Sequence, residues 1–143
     1  MNLKELLQKR LVEKSTQDLK LSAKFLSDAH RDISAAEDNL KTKHPDWALA
    51  IAYNAMLSAG MALMAYKGYR TFAESHHVAV VQFCAAVMPP DSATLVSVFN
   101  RYRVRRHDVI YGESSSVGED EARKAIENTK KFVEQIEKII KVS

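Results

Sequence analysis

The chain has 143 residues, a length that suits one domain built around one core. Hydrophobic residues make up 46% and charged residues 27%, while only 4 Gly and 3 Pro are present, too few turn formers for an all-β fold. A net charge of +3 is mildly basic and fits a nucleic-acid partner, and the single cysteine, Cys84, excludes an intrachain disulfide.

Residues 2–14 carry Leu3, Leu6, Leu7 and Leu11 on one side and predict a short amphipathic helix. It is charged and has no apolar signal core, and together with the lone cysteine this fits a cytoplasmic setting. Ser15 or Thr16 is placed to cap a second helix that runs to about Leu40. Its apolar positions are Leu19, Ala23, Leu26, Ala29, Ile33 and Leu40. His44-Pro45-Asp46 breaks the chain, and Pro45 suits the first turn of the next helix.

The third helix, about 46–67, is apolar nearly all round: Trp47, Ile51, Ala55 and Ala62 on one side, Leu49, Met56 and Leu63 on the other. Such a helix is contacted on both faces, so it is expected to be the centre of a bundle. Asn54, Ser58 and Gly60 interrupt it, and no membrane span is expected. Gly68 suits the helix end, and residues 69–75 are expected to be a loop. Helices follow over about 76–88, 92–111 and 117–141. Pro89-Pro90 ends the first of these, and Ser116 with Glu119 would form a capping box for the last. Ala122, Ile126, Thr129, Val133, Ile136 and Ile140 form that helix's buried stripe. No strand stands out. The fold class is therefore all-α, an up-and-down bundle of five to six helices, a single domain over 1–143 with its core at about 18–141. The short loops make neighbouring helices antiparallel.

The segment Phe99–Gly112 holds the chemistry. Residues 101–107 carry four arginines and no acid, whereas 113–121 carry four acids and no base. At roughly 100° per residue, Leu95, Phe99, Tyr102, Val109 and Ile110 share one side, and Arg106 falls in the middle of it. A buried arginine needs a partner, so Arg106 either pairs with an acid or lines a cleft. Arg103, His107 and Tyr111 form a flanking stripe at i, i+4, i+8, while Arg101 and Arg105 point away. Arginine suits phosphate because its planar fork donates two hydrogen bonds and stays charged. A histidine beside it can act as acid or base near neutral pH.

Two other features leave alternatives open. His76-His77 opens a helix, but adjacent residues point about 100° apart and do not make a helical metal pair; packing, with one ring reaching a groove, is the expectation. Asn54 and Ser58, at i, i+4, either bond a neighbouring helix or line the cleft with Arg106. No metal and no cofactor are expected. A nucleophile motif and a glycine-rich phosphate loop are both lacking.

Three stretches, WALAIAYNAMLSAGMALMAYKGYR, SHHVAVVQF and RYRVRRHDVIYGE with the helix after it, together resemble the HEPN domain family (higher eukaryotes and prokaryotes nucleotide-binding). The resemblance implies an α-helical bundle that forms homodimers. It also implies a nucleotide or RNA ligand and a minimal nucleotidyltransferase as partner, often in a toxin–antitoxin pair. Many members are ribonucleases with an Arg-x(4–6)-His motif; others are non-catalytic. Arg101 and His107 fit that spacing literally. Aligned by its apolar side, the helix instead matches Arg106 to the family's arginine and His107 to the polar residue after it. Tyr111 then stands where the catalytic histidine would be, and tyrosine, ionising near pH ~10, is a poor base at neutral pH.

Three functions follow as expectations. The first is a nucleotide- or RNA-binding module working with a nucleotidyltransferase, in which Arg106, Arg103, Arg101 and Asn54 hold the ligand and His107 and Tyr111 position it. The second is a metal-independent endoribonuclease in which His107 acts as acid or base and Arg101, Arg103 or Arg106 stabilises the phosphate, with His107, Arg106 and Tyr111 as the catalytic set. The third is a structural dimer or adaptor, which would require Arg106 to pair with an acid of its own chain.

Overall fold

The computed structural model describes residues 1–72, 76–112 and 117–142. Six helices are present among them: α1 (Leu3–Gln8), α2 (Leu19–Lys41), α3 (Pro45–Lys67), α4 (His76–Val87), α5 (Ala93–Tyr111) and α6 (Glu119–Val142). Two short strands, β1 (Val12–Lys14) and β2 (Tyr69–Thr71), pair antiparallel, Glu13 opposite Arg70.

The strands correct the sequence expectation at two places. The first helix does not run to Lys14 but ends at Gln8, and Arg10 then takes a left-handed φ of 58°. That turn lets Leu6 and Val12 both reach the core. Residues 69–71, expected as loop, supply the partner strand. A pairing between segments 57 residues apart leaves no periodic signal in either one.

α2 begins one turn later than Ser15 or Thr16 would place it, with Asp18 as its cap accepting from the Leu21 amide at 2.9 Å. Its buried stripe is rotated at the start. Leu19 and Ala23 are exposed, whereas Ser22 is buried and donates to the Ala62 carbonyl at 2.8 Å. A small residue there lets α2 and α3 approach closely. Pro45 opens α3 and Gly68, at φ 82°, closes it. The capping box expected at Ser116 lies outside the described residues.

The directions of the long helices follow from their cross-contacts. Ser22 meets Ala62 and Asp32 meets Asn54, so α2 and α3 are antiparallel. Ser92 meets Gln135, Tyr102 meets Asn128 and Arg105 meets Glu121, so α5 and α6 are antiparallel too. α4 departs from the short-loop rule. His77 bonds Tyr53, and Val80 and Cys84 stand against Gly60, so α4 runs in the same sense as α3.

α3 is the core helix, with residues such as Leu49, Tyr53, Met56 and Leu63 fully enclosed. It is long and apolar enough to cross a bilayer, but 78% of its apolar window is buried inside the bundle, as the reading of a central helix requires. Phe99 of α5 joins it to α6, with ring centroids 5.8 Å from Tyr53 and 5.0 Å from Phe132. Cys84 is wholly enclosed, and burial pushes its thiol up to about 12.

Gly60 sets the α3–α4–α5 spacing. A Cβ there would lie 2.5 Å from Val80 Cγ1 and 3.2 Å from Cys84 Sγ. Valine is stiff at χ1 and cannot yield cheaply. We expect Gly60→Ala to lower stability by about 1–3 kcal/mol, despite alanine's better helix propensity. Urea unfolding checks this; a more stable variant would show that the contact is not tight.

Candidate phosphate-binding cleft

α5 reaches the site through its buried anchors. Phe99 and Tyr102 are buried, and Tyr102 Oη accepts from Asn128 of α6 at 3.1 Å. Arg106 lies one turn beyond Tyr102 and two beyond Phe99, so it comes round to the same side. There it is half-buried, with its guanidinium carbon 5.8 Å from the centre of the Tyr53 ring. A cation over a tyrosine face contributes roughly 1 kcal/mol in such a setting.

Arg105 shows the other outcome open to an arginine. One residue earlier, it takes Glu121 with two hydrogen bonds, 2.7 and 3.0 Å. Arg106 has no acid within ion-pair distance among the described residues. It lines an open cleft of about 510 Å³ with Arg103, His107 and Tyr111, and with His77 from α4. Asp108 is the acid on the cleft wall.

His77 is held in place from α3. Its Nδ1 is 2.9 Å from the Tyr53 hydroxyl, and one of the two groups donates to the other. Burial holds His77 below the ordinary histidine value of 6.5, and the charge of Arg106, His76 and Arg103 adds to this. Burial pushes Tyr53 up to about 12, although Arg106 and Arg103 pull the other way. At neutral pH the pair is therefore a neutral phenol bonded to a neutral imidazole. On the outer flank, the His107 and Tyr111 rings lie 4.6 Å apart. Tyr111 is 65% exposed.

The cleft unites four of the residues singled out from the sequence: Arg103, Arg106, His107 and Tyr111. It does not include Arg101, which is exposed on the opposite side of the helix, so the literal Arg101–His107 pair is not brought together. Nor does it include Asn54, whose Nδ2 donates to Asp32 on α2 at 3.3 Å. Tyr53 and His77 are the contributors that sequence reasoning misses or leaves general. Tyr53 is hidden in a helix apolar all round, and His77 is legible only as a ring that could reach a groove. Among the described residues, no group of three His, Cys, Asp or Glu is arranged to hold a metal.

The electrostatics give a measurable sign. A histidine whose folded pKa is depressed binds its proton more readily when unfolded, so its contribution to stability is full above 6.5 and is lost as pH falls from there through its lower folded value. We expect the His77 imidazole to titrate below 6.5 by NMR, and to move upward in Arg106→Ala. An unchanged His77 titration in that variant would mean that the guanidinium is not beside it.

A search of proteins with curated function finds no match. Among solved structures, TT1696 from Thermus thermophilus superposes with a TM-score of 0.65 at 19% identity, covering 82% of this chain and 96% of that one. At that identity the likeness concerns the fold alone. The HEPN domain family model matches residues 22–139, from the first turn of α2 to near the end of α6. With its six-helix bundle and a match over most of its length, the chain belongs to the HEPN domain family, whose roles are nucleotide- or RNA-related.

Proposed function

We propose that the chain is a nucleotide- or RNA-binding HEPN module and that the cleft between α4 and α5 is its phosphate site. One observation carries this reading: Arg106 is held over Tyr53 without an acid among the described residues, while Glu121 goes to Arg105. A guanidinium supported from its face keeps its N–H edge for a planar or tetrahedral anion. Arg103 adds a second charge; its Nε donates to Asn100 at 3.1 Å, which leaves the terminal nitrogens for a ligand. The exposed His107–Tyr111 pair gives a base a flat flank to rest on. An adaptor without a ligand would need an internal acid for Arg106, so this geometry favours the binding reading over it.

The assembly is part of the proposal. Val104, Ile110 and Tyr111 are large exposed apolar side chains on the cleft half of α5. A second copy related by a two-fold axis would cover them and set two Arg106 residues around one cleft. The nucleotidyltransferase partner and the toxin–antitoxin setting are carried by the family resemblance.

Binding is tested with labelled single-stranded RNA across a salt series. We expect Arg106→Ala to weaken binding about tenfold or more and to flatten the salt dependence by about one phosphate contact. Equal affinity and equal slope would contradict the assignment.

A second reading, metal-independent RNA cleavage, is favoured by the Tyr53–His77 hydrogen bond. With Nδ1–H donating to the Tyr53 oxygen, Nε2 is the free basic atom. It would take the 2′-hydroxyl proton as the 2′-oxygen attacks phosphorus. His107 would protonate the departing 5′-oxygen, leaving a 2′,3′-cyclic phosphate and a 5′-hydroxyl. Arg106 would stabilise the charge that builds on the phosphoryl oxygens. This reading expects cleavage in EDTA that falls at least about a hundredfold in His77→Ala. A wild type that binds RNA and leaves it intact would rule cleavage out and leave the binding reading standing.

A further inference from the structure

On the other side of His76-His77 lies a second cavity, of about 330 Å³, between the β1–β2 ribbon, α2 and α3. Its walls are Phe25, Met61, Met64 and Tyr69, two aromatic rings and two thioethers. Its rim carries Thr16 and Asp18. Nothing in the phosphate cleft uses these residues.

The cavity is held open by backbone bonds. The Ser15 amide donates to the Gly68 carbonyl at 2.8 Å, and the Asp18 amide donates to the Ala65 carbonyl at 2.9 Å. Gly68 permits this approach: a Cβ there would lie 3.1 Å from the Ser15 carbonyl oxygen. The rim is therefore fastened to the end of α3, and the walls belong to long helices. A space of this size suits a ligand about as large as a one- or two-ring molecule.

The lining chooses the chemistry. Thioethers and aromatic side chains favour the faces and edges of a flat ring. Of the charged groups at the rim, Arg70 is bonded to Glu13 across the ribbon and is already neutralised. Asp18 has no ion pair among the described residues. Its Oδ1 accepts from the Leu21 amide, and Oδ2 is left for a donor. Among the described rim residues the side-chain charge without an ion pair is thus the Asp18 carboxylate, held at the start of α2 and opposite in sign to the phosphate cleft.

We propose that this cavity binds a small planar aromatic molecule that carries an N–H donor and no negative charge. The ring would lie among Phe25, Met61 and Met64, with its donor on Asp18 Oδ2. Aminopurines and arylethylamines, each a flat ring with an N–H donor, share this chemistry. The cavity also has a physical link to the cleft: His76 Nδ1 is 3.2 Å from Thr71 Oγ1 at the cavity wall, and its ring stands 5.5 Å from that of His77. Occupancy would therefore be felt at the imidazole of His76.

The test uses the full chain with adenosine, tyramine and AMP, read by calorimetry and by histidine ring signals in NMR. We expect adenosine or tyramine to bind saturably and to shift His76, and AMP to bind no more tightly than adenosine. Adenosine alone identifies the aminopurine source; tyramine alone identifies the amine source. Asp18→Asn keeps the helix cap, since asparagine caps as well as aspartate, and should weaken binding about tenfold. Arg106→Ala should leave it unchanged. The proposal fails if neither compound binds at millimolar concentration, if Asp18→Asn has no effect, or if Arg106→Ala abolishes binding. The last result would return the ligand to the phosphate cleft.

Discussion

Tyr53 is the residue on which the rest of the cleft depends. It sits at the middle of α3 with its ring against Phe99, and through Phe99 it is tied to Phe132 of α6. Its hydroxyl fixes His77 of α4, and its face supports Arg106 of α5. A single buried ring thus positions one side chain from each of two neighbouring helices. The cost of enclosing a phenol is offset because its polar end finds the imidazole and its edge fills the core.

The same placement explains the charge of the cleft. Arg105 and Arg106 are adjacent in sequence and differ by one helical step, about 100°. That step sends Arg105 to Glu121 on α6 and Arg106 to Tyr53. The pairing of Arg105 secures α5 on α6, while the charge of Arg106 stays available. Its field, with that of Arg103, adds to burial in keeping His77 uncharged. A neutral imidazole beside two guanidinium groups can accept a proton or a hydrogen bond from a ligand that those groups attract.

Most of the bundle is legible in the sequence because its signals are local. Pro45 and Gly68 bracket α3, and the stripe of α6 from Ala122 to Ile136 is buried as read. Arg106 is legible as an anomaly, a charge in the middle of an apolar face. What stays hidden depends on distant partners. The β1–β2 pairing joins residues far apart, and the burial of Ser22 in place of Leu19 follows from contact with Ala62. Asn54 carries no sign of which helix it will meet; it meets Asp32 on α2 rather than the arginines. Tyr53 is one apolar position among many in a helix with no polar face. Only the crossing of α4 and α5 over it distinguishes it.

The proposed function turns on Arg106, and not Arg105, as the guanidinium that meets phosphate. The most direct measurement is a titration of the arginine Nε–Hε NMR signals with a short single-stranded RNA. We expect the Arg106 signal to shift and sharpen as its N–H groups engage phosphate, while the Arg105 signal, already bonded to Glu121, stays in place. An unmoved Arg106 signal at saturating RNA, or a shift confined to Arg105 or Arg101, would contradict it.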